Sequence, residues 1–369
     1  MTFQTFSSRR RATLWVALLV ATTPTAVFAA GLLETIDQEV SSIYEKSRDA
    51  IVKIHAQRQF HIGGVSLIPS YRIGTGFFID RDGHILTAAT VVEDADTCWI
   101  DWHGRQINAR ILGRDPQTNL ALLKIEPEAG TATPFLPQGN SDELRIGSMV
   151  IAIGFPYDLP STPVVGFIGG LDIQRGGHLF APSHIRAECR LKPGQGGGPL
   201  LNVRGEVVGI AVAAHMDDQC CALPINAARK ISADILQFGQ PQHTWVGLGV
   251  SERQLAINPT QSNQWQVFIQ QIYSNAPASA AGFRDGDVLV SITSNGVHRS
   301  ADVLNTMFYH RVGDTVEFTV LRDGQEQKLL VVVGNRPPEE ESNPSSISQT
   351  AAPQRQGQRL TVVPASQER

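Results

Sequence analysis

One short run, from Pro193 to Leu200, limits the folds open to this chain more than any other. It reads P-G-Q-G-G-G-P-L, so four of the five residues between its two prolines are glycine. Glycine adopts positive φ readily and lets other backbone approach closely, but it is unfavourable inside a helix. The apolar run Val207–Ile210 follows and has the composition of a buried strand. The run therefore predicts a tight, backbone-lined loop attached to a β-sheet.

Short strands separated by turns recur over most of the chain. Its 33 glycines and 21 prolines favour turns over long helices. Strand candidates follow one another at intervals of about ten residues, which is typical of β-barrels and sandwiches. They are Ile51–Ile54, Gly74–Asp80, His84–Thr87, Cys98–Trp102, Ile107–Leu112, Leu120–Ile125, Met149–Ile153, Val164–Leu171 and Val207–Ala213. We expect a mainly β domain over residues 51–239, closed by an amphipathic helix at Ala227–Phe238.

A second, smaller unit follows a linker at Gly239–Gln242. Residues 243–336 alternate strand and helix patterns, which predicts a small unit of mixed α and β structure. The patterns are strands at Gln266–Ile272, Val288–Ile292, Thr315–Arg322 and Gln327–Val333, and a helix at Ala301–His310. Residues 337–369 are rich in Pro, Glu, Ser and Gln, a composition typical of a disordered tail.

The first 29 residues have the organisation of an export signal. Arg9–Arg11 are positively charged, Ala12–Ala21 is apolar, and Val27–Ala29 supplies the residues for cleavage near Ala29. The apolar run is about half of the ~20 residues that a membrane span requires, so cleavage is favoured over a retained anchor. Residues 30–50 predict an amphipathic helix docked on the next domain, with oligomer contacts as the alternative. We expect a periplasmic or otherwise exported protein with no membrane span after cleavage.

Cysteine spacing and charge exclude several kinds of site. An even number of cysteines in an exported protein permits disulfides. We expect a bridge from Cys189 to Cys220 or Cys221, because these residues flank the glycine-rich loop; buried or free thiols are the alternative. No Cys or His spacing matches a zinc motif, so we expect neither a metal nor a cofactor. A formal charge of −4 without a basic stripe argues against nucleic-acid binding.

Four segments in order resemble the HtrA (Deg) family of trypsin-like serine proteases with a C-terminal PDZ domain. They are G-T-G-F-F-I-D-x-D-G-H-I-L-T at 74–87, G-R-D-P-Q-T-N-L-A-L-L-K-I at 113–125, A-I-G-F-P at 152–156 and P-G-Q-G-G-G-P-L-L-N-x-x-G-E-V-V-G-I at 193–210. The resemblance covers residues 50–335. It implies a mainly β chain with a trypsin-like double β-barrel followed by a PDZ domain, which is a small α+β barrel. It also implies assembly into trimers.

The positions that carry this family's catalytic triad hold other residues here. By resemblance, Thr90 stands at the histidine position, Asn119 at the aspartate position and Gly196 at the serine position. Glycine has no nucleophilic side chain, threonine is not a base near neutral pH, and asparagine cannot supply the orienting charge. Because the triad works as a unit, we predict that the chain has no triad proteolysis.

The same resemblance gives a vestigial oxyanion loop at Gly194, Gln195 and Gly196. The backbone N–H groups of Gly194 and Gly196 are retained whatever the side chains are. Such a donor pair can hold a peptide carbonyl or a terminal carboxylate without cleaving it. A purely structural loop is the alternative.

The C-terminal unit resembles a PDZ domain in its peptide-binding segment. Trp245-Val246-Gly247-Leu248 matches the loop that receives a peptide's terminal carboxylate, and the peptide would add as a strand beside it. The predicted binding residues are Trp245, Val246, Gly247, Leu248, Gly249, Val250, Leu304 and Met307. A PDZ unit that only packs on its neighbour is the alternative.

These patterns predict an exported pseudoprotease, a chaperone- or adaptor-like protein that binds peptide C-termini or unfolded proteins. Within a homo- or hetero-oligomer it would modulate an active HtrA-type protease. Two alternatives remain: a residual or rewired serine-type endopeptidase of periplasmic protein quality control, and a metal- or ligand-binding protein built on an inactive barrel.

Overall fold

The computed structural model describes residues 24–335 except for short gaps at 60, 63–64, 67, 128–131, 176–177, 215–218 and 256–263. The predicted tail and residues 1–23 of the predicted export signal lie outside the described residues. Helix α1 (Pro24–Ser47) is the first described element, and it runs through the predicted cleavage position. Its Ile43 is buried in the core of the next domain, with Val40 and Tyr44 beside it. Within the described residues, no helix combines the length and apolar character that a membrane span needs.

The first sheet contains seven antiparallel strands in the order β7-β6-β1-β4-β5-β9-β8, with a small separate hairpin, β2–β3. Alternating apolar side chains such as Val52, Ile54, Phe78, Ile85 and Leu123 fill its concave face and form one core. Its strands are β1 (Ile51–Arg58), β2 (His61–Ile62), β3 (Val65–Ser66), β4 (Ser70–Phe78), β5 (His84–Ala88), β6 (Thr97–Trp102), β7 (Arg105–Asn108), β8 (Arg110–Asp115) and β9 (Leu120–Lys124).

One predicted strand, Ile107–Leu112, is divided in the structure. The buried Ala109 separates β7 from β8, and its N–H donates to Cys98 O at 2.9 Å. β7 pairs with β6 and β8 pairs with β9, so the chain crosses between opposite edges of the sheet at this point. The alternation of apolar Ile107, Ala109 and Ile111 with polar residues continues across this point and does not reveal a change of partner, which explains why the sequence predicted a single strand.

The second sheet closes into a six-stranded barrel in the order β10-β11-β12-β15-β14-β13. Its strands are β10 (Met149–Gly154), β11 (Thr162–Arg175), β12 (His178–Glu188), β13 (Pro199–Leu201), β14 (Val207–Ala214) and β15 (Cys220–Pro224). Helix α2 (Ile225–Phe238) follows, and its Ile231 and Ile235 join a core that also contains Leu86 of the first sheet and Ile151 of the barrel. This shared core fixes the two sheets against each other.

The C-terminal domain is a six-stranded sheet in the order β17-β18-β19-β21-β22, with β20 paired to β19, and a separate pair β16–β23. Val267, Ile269, Leu289 and Phe318 are fully or almost fully buried in its own core. Its elements are β16 (Thr244–Trp245), β17 (Leu248–Leu255), β18 (Gln264–Ile272), α3 (Pro277–Ala280), β19 (Val288–Ile292), β20 (Asn295–Gly296), α4 (Ser300–Phe308), β21 (Thr315–Arg322), β22 (Gln325–Val332) and β23 (Gly334–Asn335).

The C-terminal domain is attached to the barrel by specific contacts as well as by the linker. Asn305 of α4 accepts a hydrogen bond from Ser183 N of β12 at 2.9 Å. Phe308 of α4 enters the shared core beside α2, under the Lys230 ammonium at 5.3 Å. At the end of the linker, Gln242 O accepts from Lys230 Nζ at 3.0 Å. The linker region therefore contacts the barrel instead of spanning open solvent.

Candidate functional site

Neighbouring strands of the first sheet bring Thr90 and Asn119 together. β5 and β9 pair with Ala88 opposite Leu120, so the residues just beyond these two positions are adjacent. Asn119 Oδ1 accepts from Thr90 N at 2.8 Å, and Asn119 Nδ2 lies 3.4 Å from Thr90 Oγ1. Asn119 has positive φ (56°), a conformation that asparagine tolerates better than most residues.

Asn119 also connects the first sheet to the barrel. Its Nδ2 donates to Val212 O of β14 at 2.7 Å. The amide therefore uses its oxygen on the Thr90 backbone and its nitrogen on the barrel. In this arrangement Asn119 presents no proton acceptor toward the Thr90 hydroxyl.

The glycine-rich loop is held from three sides by backbone and side-chain hydrogen bonds. Thr75, which is fully buried in β4, donates from Oγ1 to Gly194 O and from N to Gly196 O, each at 2.8 Å. Tyr157 N donates to Pro193 O at 2.7 Å, and Gly197 N donates to Ala211 O at 2.7 Å. These contacts fix the loop across residues that are far apart in the sequence.

The glycines of this loop differ in what the fold demands of them. Gly194 has φ of 95°, and a Cβ there would collide with Phe155 O. Gly197 has φ of 85°, and a Cβ there would collide with Thr75 O. A Cβ at Gly196 would meet no heavy atom within 4 Å. Gly194 and Gly197 are therefore required by the backbone, whereas Gly196 is not.

The buried side chain of Gln195 braces the loop from within. Its Oε1 accepts from Lys192 N at 2.8 Å, and Gln195 N donates to Lys192 O at 3.0 Å. These two bonds close a small turn over Lys192–Gln195. The loop thus keeps a defined shape without a side chain at position 196.

Thr90 and Gly196 face one cavity of about 390 Å³, and Asn119 lies behind Thr90. Ile73, Val91, Leu191, Pro193 and Ala211 give the cavity its apolar lining. Arg72, Lys192, Thr90, Gly194 and Gly196 complete the wall, which contains two basic residues and no acidic one. The structure thus gathers the two sequence-predicted groups, Thr90 with Asn119 and Gly194 with Gly196, around a single space.

A buried carboxylate lies four residues before Asn119. Asp115 accepts from Thr118 Oγ1 at 2.7 Å and lies 3.0 Å from His243 Nε2 in the linker region. Burial by itself would raise the pKa of Asp115, but the hydrogen bond and charge of His243, with bonds from Thr118 and Gln117, lower it overall. Asp115 therefore stays charged and joins the Asn119 turn to the second domain.

The predicted peptide-binding residues of the C-terminal domain line the junction of β17 and α4. β17 is an edge strand that pairs with β18, and Gly247 (φ 75°) precedes it. A Cβ at Gly247 would collide with Ala276, so the turn requires glycine. Leu304 is 38% exposed and reachable, whereas Val246 and Met307 are buried in the core of the domain. Any ligand would contact Leu304 more fully than Met307.

The three predicted disulfide cysteines lie together in the barrel as thiols. Ala187 of β12 pairs with Cys220 of β15, and Cys189 follows two residues later. A hydrogen bond with Cys220 lowers the pKa of Cys189 despite its burial, and the same bond together with burial raises the pKa of Cys220. The two sulfurs are therefore neighbours, and a bridge between them remains a prediction.

One group of potential metal ligands occurs among the described residues, at the turn between β4 and β5. It consists of Asp80, Asp82 and His84. Asp80 Oδ2 bonds His84 Nδ1 at 2.7 Å, and Asp80 Oδ1 accepts from the backbone N–H groups of residues 82 and 84. Hydrogen bonding within the turn therefore accounts for this arrangement.

Sequence reasoning missed two residues that shape the site, Thr75 and Tyr157. Thr75 bonds Gly194, which is 119 positions away. Tyr157 has positive φ (52°), which its residue type does not predict. The G-T-G and G-F-P motifs contain or precede these residues, but only the folded chain reveals their contacts.

Comparison with family models identifies two domains. A trypsin-like peptidase domain model matches residues 74–210, and a PDZ domain model matches residues 246–333. The first range lies within the double-sheet domain and the second lies within the C-terminal domain. The expected mainly β fold, with these two domain types in this order, is thereby confirmed.

Curated relatives match most of this chain but are longer than it. The chain is 31% identical to a "Probable periplasmic serine endoprotease DegP-like" of Ectopseudomonas mendocina, over 79% of this chain and 62% of the relative. It is 30% identical to a protein of the same description from Chlamydia trachomatis, over 72% of this chain and 55% of the relative. The chain thus spans less than two thirds of the length of these relatives.

Solved structures of similar fold match this chain over almost all of their own length. A structure described as "HtrA-type protease AlgW with tripeptide" is 25% identical, with a TM-score of 0.67, over 81% of this chain and 98% of that one. A second, with a decapeptide, is 23% identical with a TM-score of 0.65. The second likeness concerns the fold alone.

Proposed function

Because this chain is a relative of the HtrA/DegP-family trypsin-like serine proteases, with one PDZ domain, we propose that it acts as a non-catalytic peptide-binding protein. In this proposal the C-terminal domain takes up peptide C-termini or unfolded segments. The double-sheet domain serves as a scaffold that has lost its chemistry. In this proposal the protein is exported to the periplasm by an N-terminal signal peptide, which agrees with the description of its relatives as periplasmic.

The observation that supports this proposal is the contact between Thr90 and Asn119 beside Gly196. Asn119 directs its amide nitrogen toward Val212 O and Thr90 Oγ1, so it offers neither charge nor a proton acceptor there. Gly196 contributes no side chain to the cavity that Thr90 lines. A hydroxyl with no base beside it is a poor nucleophile near neutral pH. None of the three positions supplies the acid–base pair that acyl transfer requires.

The open edge of β17 supports the peptide-binding part of the proposal. An extended peptide gains main-chain hydrogen bonds when it adds to an unpaired strand edge, and a nearby helix provides side-chain specificity. Leu304 of α4 is the exposed apolar residue that a guest side chain would meet. One relative of known structure is described with a bound tripeptide, which agrees with this mode. We further propose homo- or hetero-oligomers, trimers by family resemblance, that include an active HtrA-type protease.

The loss of catalytic activity is tested by restoring the three side chains of the triad. We expect no hydrolysis of unfolded casein by purified wild-type protein and hydrolysis by the Thr90→His, Asn119→Asp, Gly196→Ser triple variant. The matched control is Thr90→His, Asn119→Asp, Gly196→Ala, which differs only in the oxygen at position 196. Casein cleavage by the wild type that persists after removal of contaminating proteases would overturn the proposal.

The description of the relatives as serine endoproteases favours one alternative, a residual endopeptidase. Among the described residues that line the cavity, Thr90 is the only one with a hydroxyl that could act as the nucleophile of such an endopeptidase. Thr90→Val has nearly the same shape and lacks that oxygen. Casein cleavage that is present in the wild type and abolished by Thr90→Val would establish the alternative.

A further inference from the structure

The linker region carries a histidine, His243, whose ring lies against a buried carboxylate of the first sheet. His243 Nε2 is 3.0 Å from Asp115 Oδ1, although the two residues are 128 positions apart in the chain. The His243 side chain is 26% exposed, whereas the Asp115 side chain is 1% exposed. Water therefore reaches the imidazole, which can gain or lose a proton, while the charge of the carboxylate has to be compensated by groups of the fold.

The other hydrogen-bond donors to Asp115 are neutral. They are Thr118 Oγ1 at 2.7 Å and Gln117 N at 3.1 Å. Among the described residues, His243 is the only basic side chain in ion-pair contact with Asp115, since the preceding Arg114 donates to a backbone carbonyl instead. Burial by itself would raise the pKa of Asp115, but the hydrogen bond and charge of His243, with the two neutral bonds, lower it overall. Asp115 is therefore ionised throughout the range in which a histidine changes its charge, about pH 5 to 8.

Helix α2 adds a balanced pair of charges beside this contact. Lys230 Nζ and Asp234 Oδ2 are 2.9 Å apart and almost completely buried. Both also bond Gln242, the residue before His243. Because this pair is neutral as a whole, the carboxylate of Asp115 stays without a compensating charge until the imidazole of His243 is protonated.

The end of α4 contributes two more titratable groups. Burial, together with the charge of Asp142, raises the pKa of Tyr309 to about 12, so its phenol stays neutral between pH 5 and 8. His310 Nδ1 is 3.6 Å from Asp314 Oδ2 of the same domain. His310 is therefore a second histidine near the joint, and its effect has to be separated from that of His243.

The segment that follows His243 connects this ion pair to the interface between the two domains. Thr244 Oγ1 donates to Met307 O in the last turn of α4 at 2.8 Å. In the same part of α4, Asn305 accepts from Ser183 N of the barrel at 2.9 Å, and Phe308 packs into the core shared with α2. The contact of His243 with Asp115 therefore acts on the end of α4 that touches the barrel.

We propose that the His243–Asp115 pair is a pH-sensitive latch, which holds the C-terminal domain on the barrel most firmly when the imidazole is protonated. The bond is then charge-assisted, and such bonds are roughly twice as strong as neutral ones. The charged pair stabilises the interface at the acidic end of the range, and this contribution is lost as rising pH removes the proton from His243. The buried carboxylate then keeps only neutral donors, and the interface opens more often. The latch requires neither catalysis nor a bound peptide, so it goes beyond the function proposed above.

Position 243 allows a matched series of variants that fixes the charge. His243→Gln keeps a hydrogen-bond donor and is never charged, whereas His243→Lys is charged throughout the range. Both replace a partly exposed side chain, so the fold should accept them. Asp115→Asn removes the opposite charge. His310→Gln is the control, because it removes a histidine–carboxylate pair of the same domain and leaves the latch intact.

The experiment is hydrogen exchange of the full protein followed by mass spectrometry, at about pH 5.5 and about pH 8, with rates corrected for the intrinsic effect of pH. The amides of Ser183 and Gln242 report on the joint, because they donate to Asn305 and Asp234 across it. The amide of Ile269, which donates within the C-terminal domain, is the internal reference. From the acidic to the alkaline condition, we expect protection of the two joint amides in the wild type to fall about five- to tenfold and protection of the reference to stay unchanged.

The variants separate the charge of His243 from other effects of pH. His243→Gln should show the low protection of the joint amides at both pH values and His243→Lys the high protection at both. His310→Gln should behave like the wild type, and Asp115→Asn should show no pH dependence, since the protonated imidazole then lacks its anionic partner.

Equal protection of the joint amides of the wild type at both pH values would overturn the proposal, as would a pH dependence that persists in His243→Gln. If Asp115→Asn also loses protection at Ile269, that variant does not fold, and the comparison of His243→Gln with His243→Lys decides alone.

Discussion

At the scale of single residues, Asn119 forms a structural bridge between the two sheets. Its side chain bonds Thr90 N on one sheet and Val212 O on the other. An amide serves both, since it has an acceptor and a donor. An ionised carboxylate of the same size has acceptors only, and it would face the Val212 carbonyl unfavourably.

This asymmetry predicts that Asn119→Asp alone destabilises the protein. We expect a loss of about 1–3 kcal/mol in the free energy of unfolding at pH 7, because one acceptor would face another. Urea denaturation followed by fluorescence measures the loss. Thr90→His in the Asn119→Asp background should recover part of it, since the imidazole N–H can donate to the carboxylate. Full stability of the single variant would contradict the bridging role.

Cys189 and Cys220 permit a prediction about thiol chemistry at the same scale. Both are buried, with the thiols hydrogen-bonded, while burial alone raises the pKa of Cys98 to about 12. We expect protein purified from an oxidising compartment to contain a Cys189–Cys220 bridge, formed by exchange with a disulfide of that compartment. Thiol counting after denaturation without reductant should then detect thiols only at Cys98 and Cys221.

Peptide mapping by mass spectrometry identifies the bridge directly. The Cys189→Ser variant is the control and should leave Cys220 free as a third thiol. Four free thiols in the exported wild-type protein would show that the pair stays reduced.

At the scale of elements, α4 is the most connected helix of the C-terminal domain. One face carries Val303 and Met307 into the domain core, and Asn305 reaches β12 of the barrel. Its first turn is tied to β17, because Glu252 accepts from Ser300 N at 2.6 Å and pairs with Arg299 at 2.9 Å. Arg299 in turn stacks over Trp265 at 4.2 Å. These contacts close the junction of β17 and α4 at the end away from Gly247.

This closure predicts a limit on peptide length in the C-terminal groove. Glu252 is four residues beyond Leu248, so a bound strand meets the tie after about 13 Å. We expect that lengthening a peptide from four to eight residues changes the Kd of wild-type protein less than about threefold, a small free-energy difference. The Glu252→Ala variant should bind the longer peptide better. Fluorescence anisotropy with peptides of both lengths measures this.

The surface pair Glu317–Lys328 supplies the control for that measurement. Glu317→Ala removes a charge of the same sign from an exposed ion pair on the same domain. Its length dependence should equal that of the wild type. A gain for the longer peptide in Glu317→Ala as large as in Glu252→Ala would attribute the effect to net charge.

The sequence predicts an element well when the pattern of apolar residues within that element is enough to identify it. β19 and β21 begin and end at the predicted residues, and α2 differs only at its first turn, because regular apolar spacing marks them. β12 was missed: it contains Pro182 and polar residues, and its pairing with β11 and β15 supplies what its composition lacks. The sequence motifs identified Thr90, Asn119 and Gly196. The anchors at Thr75 and Tyr157 depend on contacts with distant residues, which no local pattern encodes.

At the scale of the whole molecule, the linker region works as a joint with defined partners. His243 Nε2 contacts Asp115 Oδ1. Gln242 O accepts a hydrogen bond from Lys230 Nζ, and Gln242 N donates one to Asp234 Oδ2. Thr244 Oγ1 donates to Met307 O at 2.8 Å, which ties the joint to α4. A buried carboxylate therefore sits between the Asn119 turn and the second domain.

Asp115 makes the stability of this joint pH-dependent. Its pKa in the folded protein lies below the value of about 4 in the unfolded chain, so its charge stabilises the fold above about pH 4. That contribution is lost as pH falls through the lowered pKa. We expect Asp115→Asn to reduce the free energy of unfolding by about 1–3 kcal/mol at pH 7, with a smaller difference from wild type at lower pH.

Urea denaturation at several pH values measures this difference. Glu34→Gln, at an exposed position of α1, is the control and should equal the wild type throughout. If the difference in the free energy of unfolding between Asp115→Asn and wild type stays constant below pH 4, the effect comes from the changed side-chain geometry and not from the lost charge.

The open Cβ direction at Gly196 has a consequence for the history of the chain. Substitution at Gly194 or Gly197 is opposed by collisions with backbone, so folding alone preserves those two glycines in every descendant. Folding places no such restriction on Gly196. Genetic drift would therefore scatter this position among many residue types. If descendant lineages nonetheless retain glycine there, selection must act on what occupies the cavity, and variation at this one codon would record whether the loop still has a ligand.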